Sequence, residues 1–600
     1  MPKKTKLRNI EYYDIQKVFD SLYKRATEGN NFRKLYEIII SRENILLAYR
    51  NVKKNSGSHT KGTDNQNIKN LEKFTQEQLI NYVRFRLSDY HPKSVRRVYI
   101  PKQNGKRRPL GIPTITDRLI QQCILQVMEP ICEGKFYKYS FGFRPNRNTK
   151  HAVARCYSLA QINKLEFCVD VDLKGFFDNV DHAKLLKQLW SLGIQDKRLL
   201  CIISKMLKAE IDGIGIPNKG TPQGGILSPL LANVVLNELD WWIGSQWDEI
   251  PTEFPYRQKG NKHIALRNTK LKEMQIVRYA DDFKIFCKSE TDAEKILIGV
   301  KKWLKERLNL EINEEKSKVV NLNRDFSEYL GIKFKLRNKK GKKVIRSRIT
   351  DKARNRIVSD IKHMVKKIRK YNYGKYVNQL NSMIIGYHNY YNMASLVSMD
   401  FASIQHRTFR QMKNKKIKTT SGRTSTFIKE RYKGYNGEKV FLRDVRIVPI
   451  YGVKFNKPLQ FGKGINNYST EGREKIHKQL DTKMVSRAIY LMNNPSENYS
   501  VEYNDNKISL YVGQKGICKI TKEFLEPCEM HCHHKIPRKL GGSDEYKNLV
   551  FINKDIHKLI HATSLDLIYK LIENLNLTYT QIKEVNNLRR KAGLENIIHN

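Results

Sequence analysis

Ile276-Val277-Arg278-Tyr279-Ala280-Asp281-Asp282-Phe283-Lys284-Ile285-Phe286-Cys287 reads as two short strands joined by a tight turn that carries paired carboxylates. The flanks are β-branched or aromatic-rich and mostly alternate, as two short strands would. Two adjacent carboxylates repel each other, so a turn holding both is costly unless a cation neutralises them. Mg²⁺ takes oxygen ligands and is commonly held by one or two carboxylates together with substrate phosphates. An aspartate pair alone is more often a solvated turn. The rest of the chain decides between the two readings.

The chain has 600 residues, which implies several domains. Its 40% hydrophobic and 10% aromatic content suffices for folded cores and argues against a disordered polymer. Charge is the outlier: 112 basic against 60 acidic residues leave a formal +52. That excess disfavours self-association and attracts polyanions, with nucleic acid the leading partner and an anionic membrane surface the alternative. No apolar run reaches the length of a membrane span, and no basic amphipathic anchor stands out. The start, Met1-Pro2-Lys3-Lys4-Thr5-Lys6, lacks an apolar signal core, and Glu11 and Asp14 argue against a transit peptide. Nine cysteines form no secreted-type framework. Cys123, Cys132, Cys156, Cys168, Cys201 and Cys287 read as reduced core residues, and Cys518, Cys528 and Cys532 cluster.

Ile296, Leu297, Val300, Trp303, Leu304 and Leu308 form the stripe of a core-facing helix directly after the hairpin. Residues 333–370 hold 17 Lys or Arg against two acidic residues, Asp351 and Asp360, and are expected to present a nucleic-acid-binding face. Tyr387-His388-Asn389-Tyr390-Tyr391 follows on another expected helix, where its rings pack helices together or stack on bases, packing being the safer reading.

A third carboxylate changes the weight of the first two. Phe167-Cys168-Val169-Asp170-Val171-Asp172-Leu173-Lys174-Gly175-Phe176-Phe177-Asp178 reads as a strand running into a glycine turn, so a carboxylate at its end can approach the hairpin. Three carboxylates can hold two cations about 4 Å apart, the arrangement of two-metal nucleotidyl transfer. Ile100 to Pro113 reads as strand, tight turn and strand with four cations, a frame for gripping a triphosphate. Gly220-Thr221-Pro222-Gln223-Gly224-Gly225 is a glycine-rich turn before an apolar helix and permits close backbone approach to a base or sugar.

Together with Ser140-Phe141-Gly142-Phe143-Arg144-Pro145 and Tyr329-Leu330-Gly331, these pieces resemble, in order over roughly residues 50–400, the reverse transcriptases encoded by group II introns. The resemblance implies that Asp172, Asp281 and Asp282 are catalytic ligands of two Mg²⁺ ions. Asp170, two residues away on the same strand face, competes with Asp172; Asp172 is preferred because it opens the Asp-Leu-Lys-Gly-Phe-Phe-Asp motif. Lys102 and Arg108 would grip the incoming deoxynucleoside triphosphate, Phe177 would exclude a ribose 2′-hydroxyl, and Gln223 would lie by the templating pair.

The C-terminal part has its own motif. His557 and His561, at i and i+4, place two imidazoles on one helix face. Adding His533 gives three nitrogen ligands, leaves His534 as general base on water, and lets Asn548 fix the loop that holds the base. His531-Cys532-His533-His534, Gly541-Gly542, Asn548, His557 and His561 in this order resemble the HNH, or ββα-metal, nucleases over about residues 515–565. A structural zinc knuckle is the rival reading. Many intron-encoded domains of this kind carry two Cys-x-x-Cys pairs, whereas here Thr521 stands three residues after Cys518, and Asn553-Lys554-Asp555-Ile556 precedes His557. A second zinc site is therefore not expected. Cys528 and Cys532 read as simple core residues, and the metal, Mg²⁺ or Zn²⁺, stays open.

The expectation is thus an α+β, multidomain chain: a right-hand polymerase with fingers, palm and helical thumb, plus a small ββα-metal HNH domain. The divisions are an RNA-binding N-terminal extension at 1–75, fingers and palm at 76–345, thumb or maturase domain at 346–430, a DNA-binding region at 431–512, the nuclease at 513–570 and a tail at 571–600. Intron RNA, target DNA and deoxynucleoside triphosphates are the expected partners, without a membrane, in the bacterial cytoplasm at the nucleoid; a homodimer is compatible with this reading. The alternatives are a splicing-only maturase, against which intact Asp172, Asp281 and Asp282 argue, and a stand-alone bacterial reverse transcriptase, against which the histidine cluster argues.

Overall fold

In a computed structural model, which describes residues 9–101, 107–371, 374–413, 416–476, 482–526 and 529–598, the chain is a mixture of helix and sheet divided between two units. One is built from residues 137–176 and 235–463, the other from 1–136, 177–234 and 464–600. Two strands of the second unit come first in the chain, β1 (Arg96–Pro101) and β2 (Arg107–Ile112), an antiparallel pair in which Arg108 lies opposite Ile100.

The unit containing the aspartate hairpin is centred on a four-stranded antiparallel sheet. Its strands are β3 (Phe167–Asp172), β4 (Gln275–Tyr279), β5 (Asp282–Cys287) and β6 (Lys318–Asn321), in the order β4-β5-β3-β6. The expected helix follows as Glu290–Leu308, capped by Ser289 and ended by Asn309 in the left-handed region, and packs on β3, β5 and β6. Helix Thr149–Gln161 packs on β4. With helices on both sides, β4 and β5 are buried nearly throughout. Arg278 and Lys284 thereby become buried cations that need partners.

Beyond this sheet, β7 (Ser327–Tyr329), β8 (Ile332–Lys339) and β9 (Lys342–Ile349) form a second antiparallel sheet. The β7–β8 turn is Leu330-Gly331, both at positive φ (51° and 78°), the backbone that a two-residue hairpin favours. Helices Asp351–Lys370, Gly374–Tyr391 and Val397–Met412 continue the same core. On the first, Ile357, Val358, Ile361, Val365 and Ile368 are buried while Lys352, Arg356, Lys366, Lys367, Arg369 and Lys370 are exposed, so the basic run becomes one outward face. The aromatic stretch packs: Tyr390 donates to the Leu330 carbonyl (3.0 Å), and buried His388 is held between the Tyr432 hydroxyl and the Ile450 carbonyl, 2.9 Å each. A small sheet of β10 (Lys418–Thr419), β11 (Phe441–Leu442) and β12 (Val445–Arg446) completes the unit.

In the other unit the largely buried helix Ile115–Lys135 is the hub for helices Gln16–Thr27, Arg42–Lys53 and Gln76–Ser88. Residues 464–513, of which the sequence said little, supply helices that join this N-terminal cluster. Helix Val501–Gly513 is buried on nearly every side, and its acidic residues are paired: Asp505 meets Arg50 (2.6 Å) and Lys53 (3.0 Å), and Glu502 also meets Lys53. Farther on, β13 (Met530–His534) pairs antiparallel with β14 (Leu549–Asn553), and helix Lys554–His561 follows at once. Helices Leu565–Asn574 and Tyr579–Lys591 pack on it. Arg589 donates to the carbonyls of Leu559, Ile560 and Ala562, satisfying the helix's last turn. Of the cysteines read as core, Cys201 is a correction: it lies on the outer face of helix Lys197–Leu207 and is exposed. Cys518 and Cys532 are buried, and Cys528 lies outside the described residues.

Candidate active sites

The register of the central sheet sets Asp172 directly opposite Asp282, and Asp170 opposite Lys284. The two aspartates of β3 therefore have different neighbours. Asp170 accepts from Lys284 Nζ at 2.5 Å and from Ser327 Oγ at 3.0 Å, within the interior. Asp172, at the strand end, meets exposed Lys316 Nζ at 3.0 Å, and its side chain is 36% exposed. Asp281 sits in the turn beside Asp282, so three carboxylates gather at one end of the sheet.

Backbone contacts hold this turn in an unusual shape. Ala280 is at φ 58°, the left-handed region that a side chain disfavours. Arg278 Nη1 donates to the Ala280 carbonyl at 2.8 Å, while its Nε and Nη2 grip buried Asp240 at 2.8 and 2.6 Å. The segment Ser140–Pro145 lies alongside: Phe141 N donates to the Arg278 carbonyl (2.9 Å), and Arg278 N donates to the Tyr139 carbonyl (3.1 Å). A Cβ on Gly142 would stand 2.3 Å from Ala280 N, so glycine is required for this approach. Arg144 closes the segment by donating to the Tyr137 and Ser140 carbonyls. Tyr329 is buried beneath, its hydroxyl 3.4 Å from the Val277 carbonyl.

Burial pushes the Asp282 carboxyl up to about 7; Lys284 opposes this, and the charges of Asp170, Asp172 and Asp281 add to it. A carboxylate so disfavoured in its charged form is one that a divalent cation would relieve. All-oxygen donors suit a hard ion such as Mg²⁺.

Of the expected triphosphate and template contacts, Lys102 lies outside the described residues. Arg108 is exposed on β2. Phe177 lies in the short turn Phe176–Asp178, where its carbonyl accepts from Thr221 N at 2.7 Å. Gln223 donates through Nε2 to Asp178 (3.3 Å), and its carbonyl accepts from Gly111 N on β2 at 2.8 Å. Gly224, at φ 126°, would put a Cβ 2.5 Å from the Gly111 carbonyl. Phe177, Gln223 and the base of the basic hairpin are thus held together within their unit.

The second cluster is made of histidines. Alternation along β13 puts His531 and His533 on one face, and helix Lys554–His561 brings His557 and His561 against it. Among the described residues, His533, His557 and His561 are the one group of three metal-binding side chains whose donor atoms all lie within 4.8 Å of one another. His533 is 2% exposed, and its buried Nε2 has no hydrogen-bond partner among the described residues, an orphan that a metal would satisfy. Burial, and the charge of the neighbouring histidines, lower His533 to about 3 and His557 to about 4, keeping both as neutral imidazoles, the ligand form. The residues present fit a divalent metal. His531, to which no role was assigned, lies with its ring centroid 3.7 Å from that of His557.

Asn548 bridges both ends of the loop after β13. Its amide donates to the Ile536 (3.0 Å) and Ser543 (2.9 Å) carbonyls and accepts from Ile536 N (3.0 Å). Gly542 packs so closely on the Ile536 carbonyl that no Cβ fits. His534, at the end of β13, meets Asp544 Oδ1 through Nε2 at 2.9 Å. Arg278, Asp240, Asp544 and His531 went unassigned at the level of sequence. For Arg278 and Lys284 a signal existed, since a cation inside an apolar strand asks for a buried acid.

A family model described as reverse transcriptase (RNA-dependent DNA polymerase) matches residues 100–334. The group II intron-encoded protein LtrA of Lactococcus lactis subsp. cremoris is 34% identical over 354 residues, covering 51% of this chain and 57% of that protein. The chain therefore spans little more than half the length of that relative. Protein YkfC of Escherichia coli (strain K12) is 33% identical over 341 residues, covering 54% of this chain and 89% of that protein. A putative COX1/OXI3 intron 2 protein of Saccharomyces cerevisiae is 27% identical over 375 residues, covering 55% of this chain and 42% of that protein.

Proposed function

Because the chain belongs to the reverse transcriptases encoded by group II introns, we propose that it is an RNA-directed DNA polymerase that aids splicing of its intron RNA and nicks the DNA from which synthesis is primed. The observation that carries the polymerase is Asp172 opposite Asp282 with Asp281 in the adjoining turn. Asp172, Asp281 and Asp282 are the residues that would hold two Mg²⁺ ions. Such ions, when bound, activate the primer 3′-hydroxyl and neutralise the triphosphate and the departing pyrophosphate. The chain's own part is to fix these carboxylates, by the β3–β5 register and by the Arg278–Asp240 clamp on the turn. Lys102 and Arg108 grip the triphosphate, Phe177 stands where a ribose 2′-hydroxyl would clash, and Gln223 lies by the templating pair.

The exposed basic face of helix Asp351–Lys370 and the N-terminal helices contact intron RNA. His533, His557 and His561 hold a divalent ion, Mg²⁺ or Zn²⁺, in an HNH-type centre, with His534 as general base and Asn548 fixing the loop. A nuclease following a polymerase on the same chain suits target-primed synthesis, because the nick supplies the 3′-hydroxyl that is then extended. Among the described residues no helix is long and apolar enough to cross a membrane, and we place the protein at the nucleoid of a bacterial cell. The splicing-only reading is disfavoured by the complete carboxylate set.

Primer extension on an RNA template tests the polymerase. Asp281→Ala is expected to lower the rate by at least ~10³, the loss of several kcal/mol of transition-state stabilisation that follows removal of a metal ligand. Undiminished synthesis would overturn the site. His534→Ala is expected to abolish nicking of target DNA while leaving primer extension intact; retained nicking would remove the base assignment.

A further inference from the structure

The imidazole of His534 is held by residues that lie outside the two strands and helix carrying the other histidines. Its Nε2 donates to Asp544 Oδ1 at 2.9 Å. Asp544 is itself anchored: Ser500 Oγ donates to Oδ2 at 2.5 Å, Arg538 Nη2 donates to both oxygens at 3.0 and 2.8 Å, and Asn506 donates to its backbone carbonyl at 2.8 Å. Tyr503 lies flat against the imidazole, ring centroids 5.3 Å apart and planes at 11°, and donates its hydroxyl to the Cys532 carbonyl at 2.9 Å. Arg538 in turn stacks on Tyr499, 4.2 Å from its ring centroid. Ser500 is the N-cap of helix Val501–Gly513 and Tyr503 lies in that helix's first turn, so a helix outside the histidine-bearing element fixes both the position and the plane of His534.

We propose that Asp544 is the positioning carboxylate of His534, and that Ser500 and Tyr503 complete the pair, so that His534 presents Nδ1 as the proton acceptor of DNA nicking. The inference rests on the nuclease reading given above and names the residues that make its base competent. Asp544 accepts from Nε2–H, and an ionised carboxylate cannot donate, so the neutral ring carries its proton on Nε2 and its lone pair on Nδ1. Burial opposes the charge on Asp544, yet the hydrogen bonds from His534, Ser500 and Arg538 hold its carboxyl down at about 2. In the step itself, water gives one proton to Nδ1 and its oxygen forms the new bond to phosphorus. The bond from phosphorus to O3′ breaks, and O3′ keeps the electron pair and takes a proton from solvent. The imidazolium so formed is stabilised by Asp544, which keeps its own charge throughout. The product 3′-hydroxyl is the group a polymerase extends.

The test uses the full-length chain and a supercoiled plasmid carrying the genomic DNA that flanks its coding sequence. Asp544→Asn is expected to lower kcat for nicking on the order of 10²–10⁴-fold, the cost of losing the orienting carboxylate of a base. KM for plasmid, affinity for Co²⁺ measured by absorption, thermal midpoint and primer extension are expected to stay at wild-type values. Asp544→Glu should recover part of the loss, and Tyr503→Phe with Ser500→Ala should lower kcat in the same direction. Nicking by Asp544→Asn within twofold of wild type, while His534→Ala is inactive, would overturn the positioning role and leave the nuclease standing. A parallel loss of Co²⁺ affinity and thermal midpoint in Asp544→Asn would also overturn it, because the carboxylate would then be a structural support. Absence of any nick by the wild-type protein would overturn both readings.

Discussion

Asp170 and Asp172 lie two residues apart on one face of β3, and their separation into different roles is a matter of neighbours. Asp170 is sealed against Lys284, whose side chain is 1% exposed, and against Ser327. Asp172 emerges at the strand end opposite Asp282. Removing the buried member of an ion pair strands its partner's charge, at a cost of about 3–5 kcal/mol. Asp170→Ala is therefore expected to lower the urea midpoint strongly, and adding Lys284→Met should recover most of the loss, because the pair is then replaced by apolar packing. Asp172→Ala should leave the midpoint nearly unchanged and abolish primer extension. A midpoint for Asp170→Ala equal to that of wild type would mean that the pair is not structural. Motif order favoured Asp172 but could not exclude Asp170, because the deciding partners, Lys284 and Ser327, sit 114 and 157 residues away in the chain.

At the scale of the element, the hairpin tip depends on a glycine from another segment. Gly142 lets residues 140–145 pass so near the turn that any Cβ would meet Ala280 N at 2.3 Å. The obstacle is backbone, so one of the two segments has to move, and the turn carries Asp281 and Asp282. Displacements of ~1 Å at a reacting centre cost about 10²-fold in rate. Gly142→Ala is expected to lower primer extension by about that factor, with far-ultraviolet circular dichroism retained; wild-type synthesis by this variant would show that the contact does not set the turn. Much of this element was legible beforehand. Alternation marked β4 and β5, the helix after them followed from its apolar stripe, and the i, i+4 spacing of His557 and His561 did bring both imidazoles against His533. Local periodicity carries that much because it depends on neighbours in sequence. It did not give the left-handed Ala280, the Arg278–Asp240 clamp or the hold of Asp544 on His534, which are set by segments that meet only after folding.

At the scale of the whole molecule, chain order and spatial order part company, and this bears on where the chain can be cut. One unit draws on residues 1–136, 177–234 and 464–600, so the helices of 464–513 are built into the N-terminal cluster. Tyr13 and Arg50 both reach Asp505, at 2.5 and 2.6 Å, and Val501 N donates to the Phe74 carbonyl at 2.7 Å. Tyr468 donates to Glu129 at 2.6 Å, and Arg473 pairs with Asp20 at 2.7 Å. Burial opposes the charge on Asp505, but Lys53 and Arg50 lower its carboxyl below the usual range, so the pairing holds it ionised. A chain ending at Lys463 would leave Arg50, Lys53 and Glu129 without these partners and expose the apolar faces beneath them. The buried ion pairs of Arg50 and Lys53 broken in this way cost up to about 3–5 kcal/mol each, a large share of a domain's whole stability of about 5–15 kcal/mol. Truncation after Lys463 is therefore expected to give an aggregating protein with little primer extension, even though every proposed polymerase residue is retained. Truncation after Gly516 keeps helix Val501–Gly513 and removes β13, β14 and helix Lys554–His561. That shorter cut should give a soluble protein that extends primers and does not nick DNA. Thermal melting and primer extension on the two truncations decide the matter: a chain ending at Lys463 with the full-length midpoint and rate would mean that residues 464–513 are an independent appendage.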